Sequence, residues 1–476
     1  MRMRSMSCVT VAGVVVALAS AGCTVGPDYV RPSAEAPAAY KEMPPAKSAE
    51  PADTSPKGPW WTVYGDAQLN TLEEGVAAAN QNLRVAEANY RQAQTLVQQA
   101  RAGLYPTIGA NVNATRARAA SRTQSFYTLG LPVDWEVDLW GKVRRSVEAN
   151  EASAQASAAE LEATLLSLQA QLAQSYFALR IADRDKKLLD ETVTAYTRSL
   201  ELTQNRYKAG VAARSDVVQA EAQLQQAQVQ AIDIGVSRAQ LEHAIAVLIG
   251  KAPAEFSLAP VDAINTLPPI PSAVPSELLE RRPDIAGAER RVAAANAQIG
   301  VATAAFYPTL SLSGNLGFAG ASFSNWISLP NRVWSLGAAL ATPLFDAGLR
   351  KAQRDETIAA YDAAVATYRQ TVLGGFQEVE DSLAALRILQ DEAAVQQTAL
   401  QSARLALELA LNQYRAGLVN YINVVLLQAA ALNAERNAVE LDGRRLAASA
   451  TLIKALGGGW RVSDLPPASR VAEKSP

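Results

Sequence analysis

Two pairs of short segments alternate apolar and polar residues so strictly that each can show one apolar and one wet face, and nothing else in the chain restricts its fold as much. In the first pair, Ile108, Ala110, Val112 and Ala114 oppose Thr107, Gly109, Asn111, Asn113 and Thr115. Tyr127, Leu129, Leu131, Val133, Trp135, Val137 and Leu139 then oppose Thr128, Gly130, Pro132, Asp134, Glu136 and Asp138. In the second pair, Leu310, Leu312, Leu316 and Phe318 oppose Ser311, Ser313, Asn315 and Gly317, and Trp334, Leu336, Ala338, Leu340 and Leu344 oppose Ser335, Gly337, Ala339 and Ala341. A period of two belongs to a β-strand. Strands of about ten residues with one apolar face fit a membrane barrel that has lipid outside and water inside. The same pattern would also serve a soluble sandwich with one buried sheet face.

Beyond the first two dozen residues, no stretch supplies the roughly 20 uninterrupted apolar residues of a membrane helix. If the chain crosses a bilayer, it must use these strands. Four strands cannot close a barrel, since the smallest known need about eight and an open edge in lipid leaves backbone groups unpaired. The chain must therefore associate with copies of itself, and a dimer, trimer or tetramer satisfies this argument equally.

The chain aligns on itself. Asn205, Tyr207, Ala209 and Gly210 match Asn412, Tyr414, Ala416 and Gly417, and Tyr105-Pro106-Thr107 recurs as Tyr307-Pro308-Thr309. A duplicated unit of roughly 200 residues is the economical reading. Each unit opens with a helical run, 66–103 and 276–305, that stops at the Tyr-Pro pair because proline cannot continue a helix. Strands are expected at about 107–116 and 126–139, then at about 309–318 and 332–344, with surface loops at 116–125 and 319–331. Proline-free helical stretches follow at 142–210 and 211–250, and at 349–417 and 418–457. The first repeat thus covers 66–250, a linker or equatorial segment 251–275, the second repeat 276–457 and a tail 458–476.

A helix of some 65 residues is about 100 Å long at 1.5 Å per residue. Leu161, Leu165, Leu168, Leu172, Tyr176 and Leu179 fall at an average helical spacing, so one apolar stripe runs along a straight helix. Gly210 and Gly417 mark hairpin points where a left-handed residue is needed. The run Asp183-Arg184-Asp185-Lys186-Lys187 is expected to form a solvated face.

Arg2 and Arg4, the apolar run from Val9 to Leu18, and the small residues Ala19 to Gly22 read as an export signal over 1–22. Small residues directly before Cys23 suit a lipoprotein-processing peptidase, which would make Cys23 the lipidated N-terminus carrying a diacylglycerol and a fatty acyl chain. Ser20 stands where a leucine is usual. An ordinary free thiol after standard cleavage is the alternative. Residues 23–65 would then form an extended segment behind the anchor.

The only other cysteine, Cys8, lies in the removed segment, so no internal disulfide framework is expected. A net charge of -2 disfavours a nucleic-acid partner. His243 is the only histidine and has no second His or mature cysteine with which to form a metal cluster, so no metal, cofactor or catalytic residue is assigned. An enzyme is therefore not expected.

Three motifs occur in order: Cys23-Thr24-Val25-Gly26-Pro27-Asp28-Tyr29 with Arg31-Pro32; Arg281-Arg282-Pro283-Asp284-Ile285 with Ala288-Glu289-Arg290; and Asn296-Ala297-Gln298-Ile299-Gly300 leading to Phe306-Tyr307-Pro308-Thr309. From Cys23 to about Trp460 the chain resembles the outer-membrane efflux proteins of the TolC-like superfamily, in its lipoprotein branch. The resemblance implies a mostly α fold with a membrane β-barrel. Three chains would share one 12-stranded barrel and a periplasmic helical tunnel. It also implies helical tips that close the tunnel at rest and meet a periplasmic adaptor, itself bound to a proton-driven inner-membrane transporter. Gly210 and Gly417 match those tips. Near them Asp216 would join a polar ring, with Asn423 at the equivalent place in the second repeat. Leu426 stands where relatives often carry an aspartate, which leaves an apolar constriction open there as the alternative to an acidic gate.

The function expected is passive conduction of drugs or other small toxic compounds out of the periplasm. The rivals are an exit duct for secreted proteins or metal ions, and a purely structural periplasmic coiled-coil lipoprotein, which would leave the strand patterns unexplained.

Overall fold

The computed structural model describes residues 24–42, 58–119, 122–261, 267–268 and 277–471. The export signal 1–22, Cys23, and parts of the 23–65 segment, the 251–275 linker and the tail lie outside the described residues.

The first helical run is two helices, α1 (Ala67–Ala79) and α2 (Gln81–Ala102), where one was expected. Asn80 between them is extended, with ψ 127°, and its side chain accepts from Leu83 N, so it caps α2 while its amide donates to Leu248 O at 2.8 Å. A capping asparagine ends one helix and starts the next without any proline to announce it.

Strand β1 (Thr107–Ile108) and β2 (Asn111–Ala119) are one strand interrupted at 109–110, and β3 (Arg122–Val137) returns beside both. The loop expected at 116–125 is a correction: pairing continues to Ala119↔Arg122, because Arg116, Ala117 and Arg118 stay extended opposite Ser125, Gln124 and Thr123.

Helix α3 (Lys142–Lys208) then runs for 67 residues, about 100 Å, and α4 (Arg214–Leu248) returns along it. In the second repeat α5 (Leu278–Arg281) stops before Pro283, which opens α6 (Pro283–Ala304), so the run 276–305 is also broken. After β4 (Thr309–Gly320) and β5 (Arg332–Ala341) come α7 (Leu349–Arg415), again 67 residues, and α8 (Tyr421–Ala455). A short α9 (Ala468–Val471) ends the described chain.

The sheet is antiparallel, with β3 between β1/β2 and β4, and β4 between β3 and β5. It is four strands wide, and β2 and β5 leave two open edges.

The two repeats use the same joints. Gly141 and Gly348, at φ 81° and 89°, turn the chain from sheet into long helix. Asp138 accepts from Val143 N and Arg144 N, and Asp346 from Gly348 N and Arg350 N, which satisfies the free N–H groups of each long helix. At the far end of each return helix a left-handed glycine receives the first helical run. A Cβ on Gly250 would lie 2.3 Å from Ala79 O, and one on Gly457 2.0 Å from Arg281 O.

Two apolar cores lie where the short helices flank the long ones. One gathers Trp60, Tyr64, Leu69, Leu172, Tyr176, Phe177, Ile245 and Ile453. The other gathers Tyr40, Ile285, Val292, Tyr368, Phe376 and Val379. The stripe on α3 supplies Leu168, Leu172, Tyr176 and Leu179 to the first core, with Leu161 and Leu165 packed against it.

Candidate functional site

Three regions carry the chemistry of the molecule: the sheet, the hairpin tips and the N-terminal strap that joins the sheet to the helices.

Directly paired residues of an antiparallel sheet share a face, so the register decides what each face presents. Ile108↔Val133, Val112↔Leu129, Leu131↔Leu316, Trp135↔Leu312, Val137↔Leu310, Leu316↔Trp334, Gly314↔Leu336 and Leu310↔Leu340 put every apolar row on one side. Asn113↔Thr128, Asp134↔Ser313, Glu136↔Ser311, Asn315↔Ser335 and Ser313↔Gly337 put the polar rows on the other. The apolar face is uncovered, with Trp334 70%, Leu336 82% and Ile108 73% exposed. At roughly 25 cal/mol per Å² of apolar surface, water is the wrong solvent for such a face.

Aromatic groups bound it at both ends. At the helix end stand Tyr105, Trp135, Trp140, Tyr307 and Phe345. Trp135 Nε1 donates to Leu104 O and Trp140 Nε1 to Pro308 O, and Trp140 lies 4.9 Å from Tyr307. At the other end Tyr127 packs against Phe323 and Trp326. From Tyr127 to Trp135 the strand rises roughly 27 Å, close to the about 25 Å apolar band between the aromatic girdles of membrane barrels. Beyond Tyr127 the same face turns polar at Ser125, Arg116 and Arg118. No described helix is long and apolar enough to cross a membrane.

At the tips, Gly210 and Gly417 have φ 78° and 77°. Val211 N bonds to Arg206 O and Leu418 N to Gln413 O, so both long helices end in the same six-residue motif. Asp216 sits half-buried in the first turn of α4, while Asn423 and Leu426 are exposed on α8. The structure does not bring these three together through any hydrogen bond between them.

A residue that the sequence analysis passed over joins the hairpins. Arg206 Nη1 donates to Arg415 O at 3.0 Å, and its guanidinium lies 4.8 Å over the Tyr414 ring. Tyr414 meets Tyr421 edge-on at 5.2 Å, and the Tyr421 hydroxyl bonds to Ser199 Oγ at 3.0 Å. Arg206 has no charged counterpart in the second repeat, where Gln413 stands; that break in the repeat was the available signal.

The strap explains why the three sequence motifs occur together. Val25 N bonds to Trp140 O, and Gly26, at φ 98°, lies so close to Gly300 that a Cβ would come within 2.5 Å of its Cα. Buried Arg145 donates to Asp28 Oδ1 at 2.8 Å and to Val25 O at 3.3 Å, Asn296 donates to Pro27 O at 3.0 Å, and the Tyr29 hydroxyl donates to Glu289. Farther on, Glu380 accepts from Lys41 N and Glu42 N, and Arg387 pairs with Glu42. In the second motif Arg282 is held by Asp284 and Glu378 and donates to Ala455 O, the counterpart of Asn80 on Leu248 O.

The charged run on α3 corrects an expectation. Asp183 and Asp185 are buried: Asp183 pairs with Arg180 and Arg238, and Asp185 with Arg436. Interhelical ion pairs replace the solvated face because α4 and α8 pack over that turn. His243 is exposed, and no group of three metal-ligating side chains occurs among the described residues.

Glu73 departs from this pattern. It is fully buried on α1, both carboxyl oxygens lack a hydrogen-bond partner, and burial pushes its carboxyl up to about 9.

Comparison with known proteins agrees with this architecture. The efflux pump outer membrane protein TtgC of Pseudomonas putida is 30% identical over 458 residues, 94% of either chain. The cation efflux system protein CusC of Escherichia coli is 27% identical over 452 residues, 94% of this chain and 98% of its own. The solved outer-membrane channel OprN superposes with a TM-score of 0.83 at 32% identity, covering 92% of this chain and all of that one. The family model described as outer membrane efflux protein matches twice, over residues 74–251 and 274–458, one match for each repeat. The chain belongs to the outer membrane efflux protein family, whose TolC-like fold joins barrel strands to a helical tunnel.

Proposed function

We propose that three copies of this chain close one 12-stranded barrel in the outer membrane, extend a helical tunnel into the periplasm and serve as the passive exit duct of a tripartite efflux pump. The observation that carries this reading is the sheet, with one face apolar between two aromatic girdles, two edges open and two helices of about 100 Å leaving its foot. An open edge in lipid costs several kcal/mol for each unsatisfied backbone group. Neighbouring copies pairing β2 with β5 remove that cost. Two, three or four copies would each do so, and the family resemblance favours three.

Energy comes from the inner-membrane transporter, reached through a periplasmic adaptor at the tips. Exposed Val211, Leu418 and Leu426 offer the adaptor an apolar contact there. Lipidation of Cys23 would fix the chain to the membrane at the foot of the sheet, where Thr24 rests on Gly141. No catalytic step is assigned to the chain. The preferred cargo is small organic toxicants, the cargo class in the names of the toluene efflux relatives. The similarity to CusC supports metal ions as a second reading.

Two measurements test the proposal. In planar bilayers the purified protein should pass ions, and a silent preparation would refute the duct. In cells expressing the cognate transporter and no substitute duct, deletion should raise accumulation of organic dyes. Raised sensitivity to added metal salts with unchanged dye accumulation would favour the second reading.

A further inference from the structure

The outward face of the sheet is not filled evenly. Along β4 the apolar row reads Leu310, Leu312, Gly314, Leu316 and Phe318, and the missing side chain at Gly314 opens a groove of about 540 Å³. Its walls are Trp135, Val133 and Leu131 on one side and Trp334 and Leu336 on the other, with Leu312 and Leu316 at its ends. A Cβ at 314 would touch Leu336 Cδ2 at 3.3 Å, so even a methyl group begins to fill it. Trp135 is fixed by its bond to Leu104 O and forms a permanent wall.

The described chain begins one residue after Cys23, at this groove's foot. Thr24 packs on Gly141, Val25 N is bonded to Trp140 O, and Trp140 Nε1 donates to Pro308 O, directly before β4 starts. From Pro308 to Gly314 the strand rises roughly 20 Å, and the groove's lower end at Leu312 lies roughly 13 Å up. A barrel strand tilted by about 35–45° climbs roughly 15 Å over that length, and one acyl chain spans one leaflet, half of the about 30 Å hydrocarbon core, so a chain starting at the foot enters the groove and ends level with Gly314. Buried Arg145, holding Val25 O and Asp28, keeps that starting point fixed.

We propose that an acyl chain carried by Cys23 lies in the groove over Gly314, as an intramolecular ligand of the barrel wall. This rests on the lipidation of Cys23. The groove gives the anchor a second point of attachment and sets its azimuth around the barrel, which a lipid tail free in the bilayer cannot do.

The test uses the full-length protein made in cells fed a diazirine-bearing fatty acid. After irradiation in the outer membrane and proteolysis, the N-terminal lipopeptide should be joined to peptides containing Leu312 to Leu316, Trp135 or Trp334. Gly314→Trp should reduce those products at least fivefold while the intact mass of the lipopeptide stays the same. An acylated lipopeptide joined only to phospholipid, or products unchanged in Gly314→Trp, overturns the groove while leaving lipidation standing. An N-terminal peptide of unmodified mass overturns lipidation itself and the groove with it. In Cys23→Ala, exported on a non-lipoprotein signal, bulk lipid reaches the vacated groove, so crosslinks between photoreactive phospholipid and the groove peptides should rise severalfold over the native chain. Phospholipid crosslinks equal in the two proteins would mean that the groove was already filled by membrane lipid, and would overturn the assignment to Cys23.

Discussion

Glu73 gives the stability of the chain a pH dependence that ion-paired carboxylates such as Asp183 and Asp185 would not predict. In the fold its carboxyl titrates at about 9, against 4.5 when free, because burial disfavours the charged form and no hydrogen bond compensates. Below about 4.5 both folded and unfolded chains carry the proton, and stability from this group is complete. Between the two values the unfolded chain releases the proton and the folded chain keeps it, so stability falls by about 1.4 kcal/mol per pH unit until about 9 and is flat beyond. From pH 5 to 8 the loss is about 4 kcal/mol per chain. With an unfolding entropy near 1 kcal/mol per kelvin for a chain of this length, the thermal midpoint should drop by about 4 °C. Glu73→Gln carries no proton to release and should flatten this slope. Thermal scans in detergent, followed by tryptophan fluorescence at pH 5, 6, 7 and 8 and one scan rate, read the difference directly, since Trp60 and Trp61 lie in the core beside α1. If Glu73→Gln and the native chain lose stability in parallel across that range, the carboxyl is ionised in the fold and the argument fails.

Other consequences follow from single residues. Leu336→Arg places a cation on the apolar face at mid-sheet, at a cost of about 2–4 kcal/mol. Ser335→Arg, one residue away on the opposite face, should be tolerated. Recovery of folded protein from outer membranes should fall severalfold for the first alone, and equal recovery would invert the assignment of faces. Gly457→Ala drives a methyl group into Arg281 O at a φ of 95° and should lower the thermal midpoint by several degrees. Gly374→Ala, in open space on α7, gains up to about 1 kcal/mol of helix propensity and should hold the midpoint or raise it by about 1 °C.

What the sequence made legible was whatever depends on period. The strand faces, the long helices and the left-handed glycines at 210 and 417 each follow from a spacing of two, from 3.6 or from the chirality of the backbone. The joints were hidden because they depend on partners far along the chain. Asn80 reads as one polar residue in a helical run, and only Leu248 O makes it a break. Arg282 beside Pro283 betrays its break locally, but its role in gripping Ala455 O does not show. Asp183 and Asp185 sit in a run of alternating charge that would be solvated on an isolated helix. Helices α4 and α8 bury them and supply Arg238 and Arg436. The strap motif shows in the sequence as a pattern without its reason, since Gly26 is small for the backbone of Gly300, and Gly300 for the side chain of Arg145, both far along the chain.

Duplication makes the departures from symmetry informative, because each repeat shows what the other could have done. Tyr207 and Tyr414 occupy equivalent places, yet Tyr414 is 3% exposed under Arg206 and Tyr207 is 46% exposed. The difference rests on Arg206, whose equivalent is Gln413, so one arginine couples the two hairpins of a chain at its tip. A guanidinium over an aromatic ring contributes about 0.5–2 kcal/mol, and its bond to Arg415 O about 1.5–3 kcal/mol. Arg206→Gln should therefore loosen the tip by about 2–5 kcal/mol per chain. It should leave the sheet and the equatorial cores unchanged, since neither touches this residue. In planar bilayers the variant should dwell longer in high-conductance states than the native duct, while its thermal midpoint falls by only about 2–5 °C. Arg206→Lys keeps the charge but loses the planar stacking and should fall between the two. Conductance identical in all three proteins would show that the hairpin tips are held by other contacts, and that the asymmetry of the two tyrosines is packing without consequence for the duct.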